Sequence, residues 1–344
     1  MLNNLYEKLV ANIDRILNFF QVEYTNYNEK RRGICPVHMG DNQSAFVLYP
    51  NGMWKCWSNG CDSLYGPSIF GLIRGLLSRT KPTSKKETIN WCYNFLQERQ
   101  ENISYDLNRQ WIKINHVFTK NISNTTSNLT KIVENLQIPS SYYLKLGYSK
   151  EVLQKYKIGL CLDKTSDMYN RSVFPIYNDI NLIGYAGRSI NEKCDKCNLY
   201  HDAECPLPHP AYAKWRYSKG FLAGNWFFNF HEAKKHINQY SSCILCEGQA
   251  DVLRLEDIGI HTALGLFGCD ITDNQRLLLE RLNCLNIILA LDNDKAGEAA
   301  KQKLTEKLQN TYNISYLTFS GKDVGETSIN ELRDSYNASY SRYS

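Results

Sequence analysis

The strongest constraint on this chain is a strand, turn and helix design that occurs twice in its last third. CILCEGQADVLRL is apolar through Cys246, turns at Glu247-Gly248, and enters a helix of apolar periodicity opened by Asp251. NIILALDNDKAGEAA has the same design, with Asp292 and Asp294 at the exit and Gly297 behind them. Alternating strands and helices from Cys243 onward predict a parallel sheet with crossover helices. Such sheets bind ligands beyond the carboxyl ends of their strands. If the second strand runs far enough, Asp292 and Asp294 share one face, and Glu247 converges on the same crevice. Three carboxylates gathered there repel one another unless a hard cation offsets them, and oxygen-bound Mg²⁺ or Mn²⁺ meets that need. These ions neutralise phosphate charge and activate attacking hydroxyls. The simpler use of the same acids is to cap the helix that follows.

The rest of the chain supplies a basic counterpart. Residues 1–140 hold 16 Lys and Arg against 11 Asp and Glu, residues 141–240 hold 14 against 9, and residues 241–344 hold 10 against 15. A basic surface beside an acidic site suits a protein that grips phosphates with one part and divalent cations with another. At 344 residues, two or three domains are expected. No apolar run approaches the ~20 residues of a membrane span, so a cytoplasmic protein is expected.

Twelve cysteines are many for a reducing compartment, and their spacing separates them. In RRGICPVHMG and NGMWKCWSNGCDS, the donors Cys35, His38, Cys56 and Cys61 form two short-spaced pairs. The segment between them, SAFVLYPNGMWKC, reads as a hairpin around Pro50-Asn51-Gly52. Four such donors suit tetrahedral Zn²⁺, which would supply much of the folding energy of so small a unit. That closed donor set leaves no open position for catalysis. NEKCDKCNLYHDAECPLPHP offers a second zinc candidate in Cys194, Cys197, His201 and Cys205, with His209 as an alternative to His201. Cys92, Cys161, Cys243, Cys246, Cys269 and Cys284 lie in apolar surroundings and read as core residues.

Periodicity over the first twenty residues predicts an amphipathic helix, and Pro67 opens a helix expected to reach about residue 79. SRTKPTSKKET reads as a basic linker, followed by a helix near 85–99. KNISNTTSNLT reads as a flexible connector, and SYNASYSRYS as a frayed tail. SVFPIYN and NLIGYAG are β-prone runs bridged at Asn178-Asp179, a hairpin signal. The expected division is 1–80, 81–139, 140–240 with an insertion at 191–210, and 241–344.

C-P-x-H followed by a hairpin and a Cys pair resembles the CHC2-type zinc-binding domain of bacterial DnaG-type and phage primases. The helix PSIFGLIRGL fits that pattern. One departure is the C-x4-C pair, where the family usually has C-x2-C, and it falls on Cys61. The E-G-x-x-D and D-x-D set resembles the TOPRIM domain shared by these primases, topoisomerases of types IA and II, and some nucleases. Glu247, Asp292 and Asp294 match its acids, Asp251 a frequent companion, and Asp323 in SGKDVGET a later acidic segment. LGYSKEVLQKYKIG, RSVFPIYNDINLIGYAGRSI and YAKWRYSKGF resemble the primase polymerase core.

The resemblance implies an α+β multidomain fold: a zinc-ribbon-like antiparallel domain, a mixed α/β basic subdomain, and a TOPRIM domain with a parallel sheet. It implies short primers made on single-stranded DNA from nucleoside triphosphates, by nucleotidyl transfer with Mg²⁺ or Mn²⁺ and with structural Zn²⁺. Single-stranded DNA template, RNA primer and a helicase or replication protein acting in trans are the implied partners, in replication of a host, phage or mobile element. Arg188 and Lys214 become the main template or RNA contacts, with Arg171 and Lys219 behind them. On the zinc domain the contacts would be Lys30, Arg31, Arg32, Trp54 and Lys55. The rival readings are a TOPRIM nuclease or topoisomerase-like enzyme, and a non-catalytic zinc-containing nucleic-acid-binding protein. The primase-like middle counts against the first, and the intact acids count against the second. No G-x-x-x-x-G-K-[ST] loop occurs, so no fused helicase motor is expected.

Overall fold

The computed structural model describes residues 2–96, 126–178, 181–202, 204–205 and 212–340. Three four-stranded sheets organise them, two antiparallel and one parallel. The fold is a multidomain α+β arrangement.

The N-terminal part begins with α1 (Leu2–Ala11) and α2 (Ile13–Phe19). The single helix expected over this stretch breaks at Asn12, whose side chain donates to the Lys8 carbonyl at 2.8 Å and competes with the helical ladder. Leu5, Leu9, Ile16 and Leu17 are all buried in the core that also holds Phe46, Leu48 and Trp54. The sheet is a meander of β1 (Thr25–Tyr27), β2 (Lys30–Gly33), β3 (Phe46–Leu48) and β4 (Trp54–Cys56). The β3–β4 hairpin turns through 49–53, with Gly52 at φ +82°. Next come α3 (Cys61–Tyr65) and the almost wholly buried α4 (Ile69–Leu77). Pro67 stands outside α4, because its carbonyl accepts the Trp54 N–H at 2.9 Å and Ser68 takes the cap position.

The helix expected from about 85 begins there. Ser84 and Glu87 form a reciprocal capping box that starts α5 (Lys85–Phe95) inside SRTKPTSKKET. Similarly, α6 (Thr126–Glu134) takes up the end of KNISNTTSNLT, and the remainder lies outside the described residues. After α7 (Ser141–Lys145) and α8 (Lys150–Lys155), the second sheet runs β5 (Gly159–Cys161), β6 (Arg171–Tyr177), β7 (Leu182–Ser189) and β8 (Trp215–Tyr217). At the β6–β7 turn the Asn181 N–H donates to Asn178 Oδ1 at 2.8 Å, while Asp179 lies outside the described residues.

The last part alternates as expected: α9 (Phe230–Tyr240), β9 (Ser242–Cys246), α10 (Gln249–Asp257), β10 (Ala263–Gly265), α11 (Asp273–Glu280), β11 (Asn286–Ala290), α12 (Lys295–Leu308) and β12 (Asn313–Tyr316). Its strands lie in the order β10-β9-β11-β12 and all pair parallel. A final helix, α13 (Ile329–Tyr340), incorporates most of the segment expected to fray. Five of the six isolated cysteines are buried; Cys269 is exposed, beside the polar turn that precedes α11. Among the described residues no helix is long and apolar enough to cross a membrane.

One apolar core runs from Tyr143 to Leu332 and joins Phe174 and Ile176 of the middle sheet to Phe228, Leu245 and Leu289. The N-terminal part keeps its own core and docks on the parallel-sheet domain through polar contacts. Ser68 Oγ donates to Glu280, Arg276 donates to the Ser63 carbonyl at 2.7 Å, and Lys85 Nζ donates to the Cys284 carbonyl at 3.0 Å.

Candidate functional site

Glu247 is the first residue beyond β9, whose five residues are all buried. Gly248 then caps α10, and Asp251 accepts the Gly248 N–H at 3.1 Å, tying the turn to the helix. Asp292 follows β11 after the buried Leu291, and its own N–H donates to Glu247 Oε1 at 3.3 Å. A Cβ at Gly297 would lie 2.0 Å from the Asp292 carbonyl, so only glycine lets α12 begin this close to the strand exit. Asn293 donates to the Phe319 and Gly321 carbonyls at 2.6 and 2.8 Å, and this anchors the loop that carries Asp323.

The strand ends at Ala290, so alternation does not extend to the D-x-D pair. Asp292 enters the crevice. Asp294 is exposed and caps α12, with Oδ1 accepting the Gly297 N–H at 2.9 Å. It lies outside the crevice lining, and its charge adds to burial and to the other acids in pushing up the Glu247 and Asp292 carboxyls.

Across from the acids stands the middle sheet. Arg188 in β7 pairs in register with Trp215 in β8, and Lys214 precedes it. Together they face Glu247, Asp251, Asp292 and Asp323 in a crevice of about 890 Å³. Burial, and then the Asp292 charge, hold the Glu247 carboxyl above the usual carboxylate range. Burial together with Asp323 and Asp292 pushes Asp251 up to about 8. Burial and neighbouring Arg188 push the Lys214 ammonium down. Each half of the crevice therefore lacks enough countercharge of its own, and a divalent cation or a phosphate would relieve it. The acids offer hard oxygen donors of the type Mg²⁺ and Mn²⁺ take. No three of their oxygens gather within 4.8 Å of one another among the described residues, whereas two Cys/His groups do.

The first group is Cys35, His38, Cys56 and Cys61. His38 Nδ1 lies 3.3 Å from Cys61 Sγ and 3.6 Å from Cys56 Sγ. Tetrahedral zinc sets nitrogen and sulfur ligands about 3.6 Å apart, so the donors fit the ion in type and spacing. The Asn59 N–H donates to Cys56 Sγ at 3.3 Å, and Gly60 at φ +59° turns the chain into α3. The longer C-x4-C spacing is thereby accommodated, with Cys61 as the first residue of a helix. The Cys61 thiol, helped by the His38 and Val37 N–H groups, holds the Cys35 thiol below its ordinary value, which favours the thiolate that zinc takes. The second group is Cys194, Cys197, His201 and Cys205; His209 lies outside the described residues.

The nucleic-acid candidates divide. Arg188 and Lys214 are in the crevice, and Lys219 is exposed in the turn after β8, away from it. Arg171 is buried and donates to the Gly187 and Ala213 carbonyls at 2.9 and 2.8 Å, so it fastens β7 to the segment that leads into β8 and carries Lys214, and cannot reach a strand of DNA. Trp54 is likewise no contact: it is buried, with Nε1 donating to the Gly66 carbonyl at 2.8 Å. Arg31 pairs with Asp14 at 2.6 Å, and Lys55 with Asp62 at 2.8 Å. Lys30 and Arg32 lie over the Tyr49 and Tyr27 rings on the partly exposed sheet. Sequence reading passed over Arg254, which lines the crevice, stacks 4.0 Å above Tyr148 and donates to the Gly147 carbonyl at 2.9 Å. Its signal was a charged residue on the apolar face of DVLRLED.

Fold and site define a parallel-sheet domain with acids beyond its strand ends, joined to an antiparallel sheet that carries Arg188 and to an N-terminal domain with a Cys/His donor set. Residues 244–328 match the Toprim-like family. Most of the chain is similar to bacterial DNA primases: it is 24% identical to that of Campylobacter jejuni over 84% of this chain and 49% of the relative. With that of Helicobacter pylori it shares 24% identity over 86% of this chain and 55% of the relative. The chain spans about half the length of the curated relatives it matches. Among solved structures, the zinc-binding and RNA polymerase domains of the Aquifex aeolicus primase align over 98% of this chain and 85% of that one, at 20% identity and a TM-score of 0.48.

Proposed function

We propose that this chain is the zinc-binding and polymerising part of a DNA primase, which copies single-stranded DNA into short RNA primers from nucleoside triphosphates. The observation that carries the reading is one crevice with Arg188 and Lys214 on the antiparallel sheet and Glu247, Asp292 and Asp323 opposite on the Toprim sheet. Glu247 and Asp292, with Asp294 and Asp323 beside them, would hold Mg²⁺ or Mn²⁺. When bound, these ions neutralise triphosphate charge and make the primer hydroxyl a better nucleophile. Arg188 and Lys214 hold the phosphates of template or nascent RNA. Asp251 positions the Glu247 turn through its bond to Gly248. Zinc at Cys35, His38, Cys56 and Cys61 ties the N-terminal sheet together, leaving Lys30 and Arg32 to meet the template. A helicase or other replication protein acting in trans would bring the chain to its template.

The test is primer synthesis by the purified chain on a library of single-stranded templates, with nucleoside triphosphates and Mg²⁺ or Mn²⁺. Glu247→Gln and Asp292→Asn should each lower synthesis by ~10²–10³, the scale of removing a charge-stabilising group. Cleavage of DNA without any synthesis would instead establish a Toprim nuclease and sink the primase reading.

A further inference from the structure

The segment that joins β7 to β8 is unlike the rest of the molecule. None of its described residues between 191 and 205 enters an apolar core, and Glu192, Lys193, Asp195, Lys196 and Asn198 are exposed. The backbone is nevertheless tightly folded. The Asn198 N–H donates to the Cys194 carbonyl and the Cys194 N–H to the Leu199 carbonyl, both at 2.8 Å, with Asn198 in the left-handed region at φ +60°. This turn brings Cys194, Cys197, His201 and Cys205 together, with their ligand atoms within 4.8 Å of one another. Cys194 and Cys205 sulfurs are 3.6 Å apart, and Cys197 Sγ is 3.1 Å from His201 Nε2. Tetrahedral zinc requires about 3.8 Å between sulfurs and about 3.6 Å between sulfur and nitrogen, whereas a disulfide would need about 2.05 Å. Three sulfurs and one imidazole form a closed donor set of the structural zinc type.

The loop also touches the crevice. Tyr200, between Leu199 and His201, lies 5.1 Å from the Arg188 guanidinium, and the Tyr200 N–H donates to the Tyr212 carbonyl at 2.9 Å. Tyr142 lies 5.8 Å from the same guanidinium, so two rings approach Arg188.

We propose that Cys194, Cys197, His201 and Cys205 hold a second Zn²⁺ and that the loop it ties positions Arg188 through Tyr200. The metal half stands on the cluster alone. The positioning half rests on the proposed nucleic-acid role of the crevice.

Zinc content of the purified chain tests the metal half. Wild type should carry two equivalents, Cys197→Ser/Cys205→Ser one, and His201→Cys, which preserves a fourth donor, two. Cobalt substitution should show the thiolate charge-transfer band at two equivalents in wild type and at one in the double variant. Two equivalents of zinc in the double variant, or one in both it and wild type, would overturn the site. Affinity for an oligothymidylate strand tests the positioning half. Tyr200→Ala should weaken binding about fivefold while keeping both zincs, and Tyr200→Phe should bind as wild type. In an Arg188→Ala background, neither Tyr200→Ala nor loss of the second zinc should weaken binding further. Additive losses, or no loss in either background, would overturn the positioning role. Failure of primer synthesis alone would leave both results standing and count only against the primase reading.

Discussion

At the scale of single residues, the D-x-D pair carries two different geometries. Asp292 points into the crevice, whereas Asp294 spends Oδ1 on the Gly297 N–H. Asn at 294 keeps a capping oxygen and removes the charge. Asp294→Asn should therefore leave urea stability within about 0.5 kcal/mol of wild type, while lowering primer synthesis about tenfold or more if the charge helps hold the cation. Asp294→Ala should lose the cap as well, at about 1 kcal/mol. Full activity in Asp294→Asn would make Asp294 a cap only. The acids were legible in the sequence because carboxylates at strand exits are a chemical pattern. Their division of labour was not, since it depends on the strand ending at Ala290. Trp54 and Arg171 misled for a related reason: a large or charged side chain looks available in a sequence, but only packing shows it buried.

Among elements, the strand-to-helix turns set the site, and their two glycines predict opposite outcomes. A Cβ at Gly297 would lie 2.0 Å from the Asp292 carbonyl, a backbone atom that cannot swing away. At Gly248 it would meet only Asp251 Oδ2, at 3.3 Å. Gly297→Ala should thus cost about 1–3 kcal/mol in chemical denaturation and displace Asp292, lowering activity with it. Gly248→Ala should cost well under 1 kcal/mol, since its backbone is extended and one carboxylate oxygen has to yield slightly. Equal losses at both positions would show that the close approach at Gly297 is not what holds this turn. The parallel sheet was readable because two apolar runs end in the same turn chemistry. The helix expected from about 85 was readable too, and it starts there because S-x-x-E closes a capping box at Ser84.

For the whole molecule, the question is how the N-terminal domain is held. Glu280 accepts from Ser68 and stands beside the buried Arg74; a Cβ on Gly66 would collide with it. Glu280→Ala should release the N-terminal domain, seen as faster proteolysis within 78–84 and a larger hydrodynamic radius, with its zinc content unchanged. Unaltered proteolysis and radius would show that this contact does not hold the domains together. Lys85 adds a pH signature. Burial pushes its ammonium down to about 8, while the unfolded chain keeps the ordinary value of about 10.4. Between those values the unfolded state binds a proton that the folded state has lost, so this lysine makes stability rise with pH. The Tm of wild type relative to Lys85→Met should climb from about pH 8 to about pH 10. A constant difference would mean that Lys85 is solvated.

By itself the sequence determined the chemistry available: which acids stand at strand exits, which Cys and His come in metal-binding pairs, and where basic charge concentrates. Those are local properties, set by residue type and spacing over a few positions. Only the tertiary structure decided which of these groups meet. Arg188 and Glu247 are far apart along the chain, and they share a crevice because one apolar core fastens the antiparallel sheet to the parallel one. The same holds for Lys85 against Cys284 and for Tyr200 against Arg188. Burial, and the shifts in proton affinity that follow from it, come from atoms that no local pattern brings together.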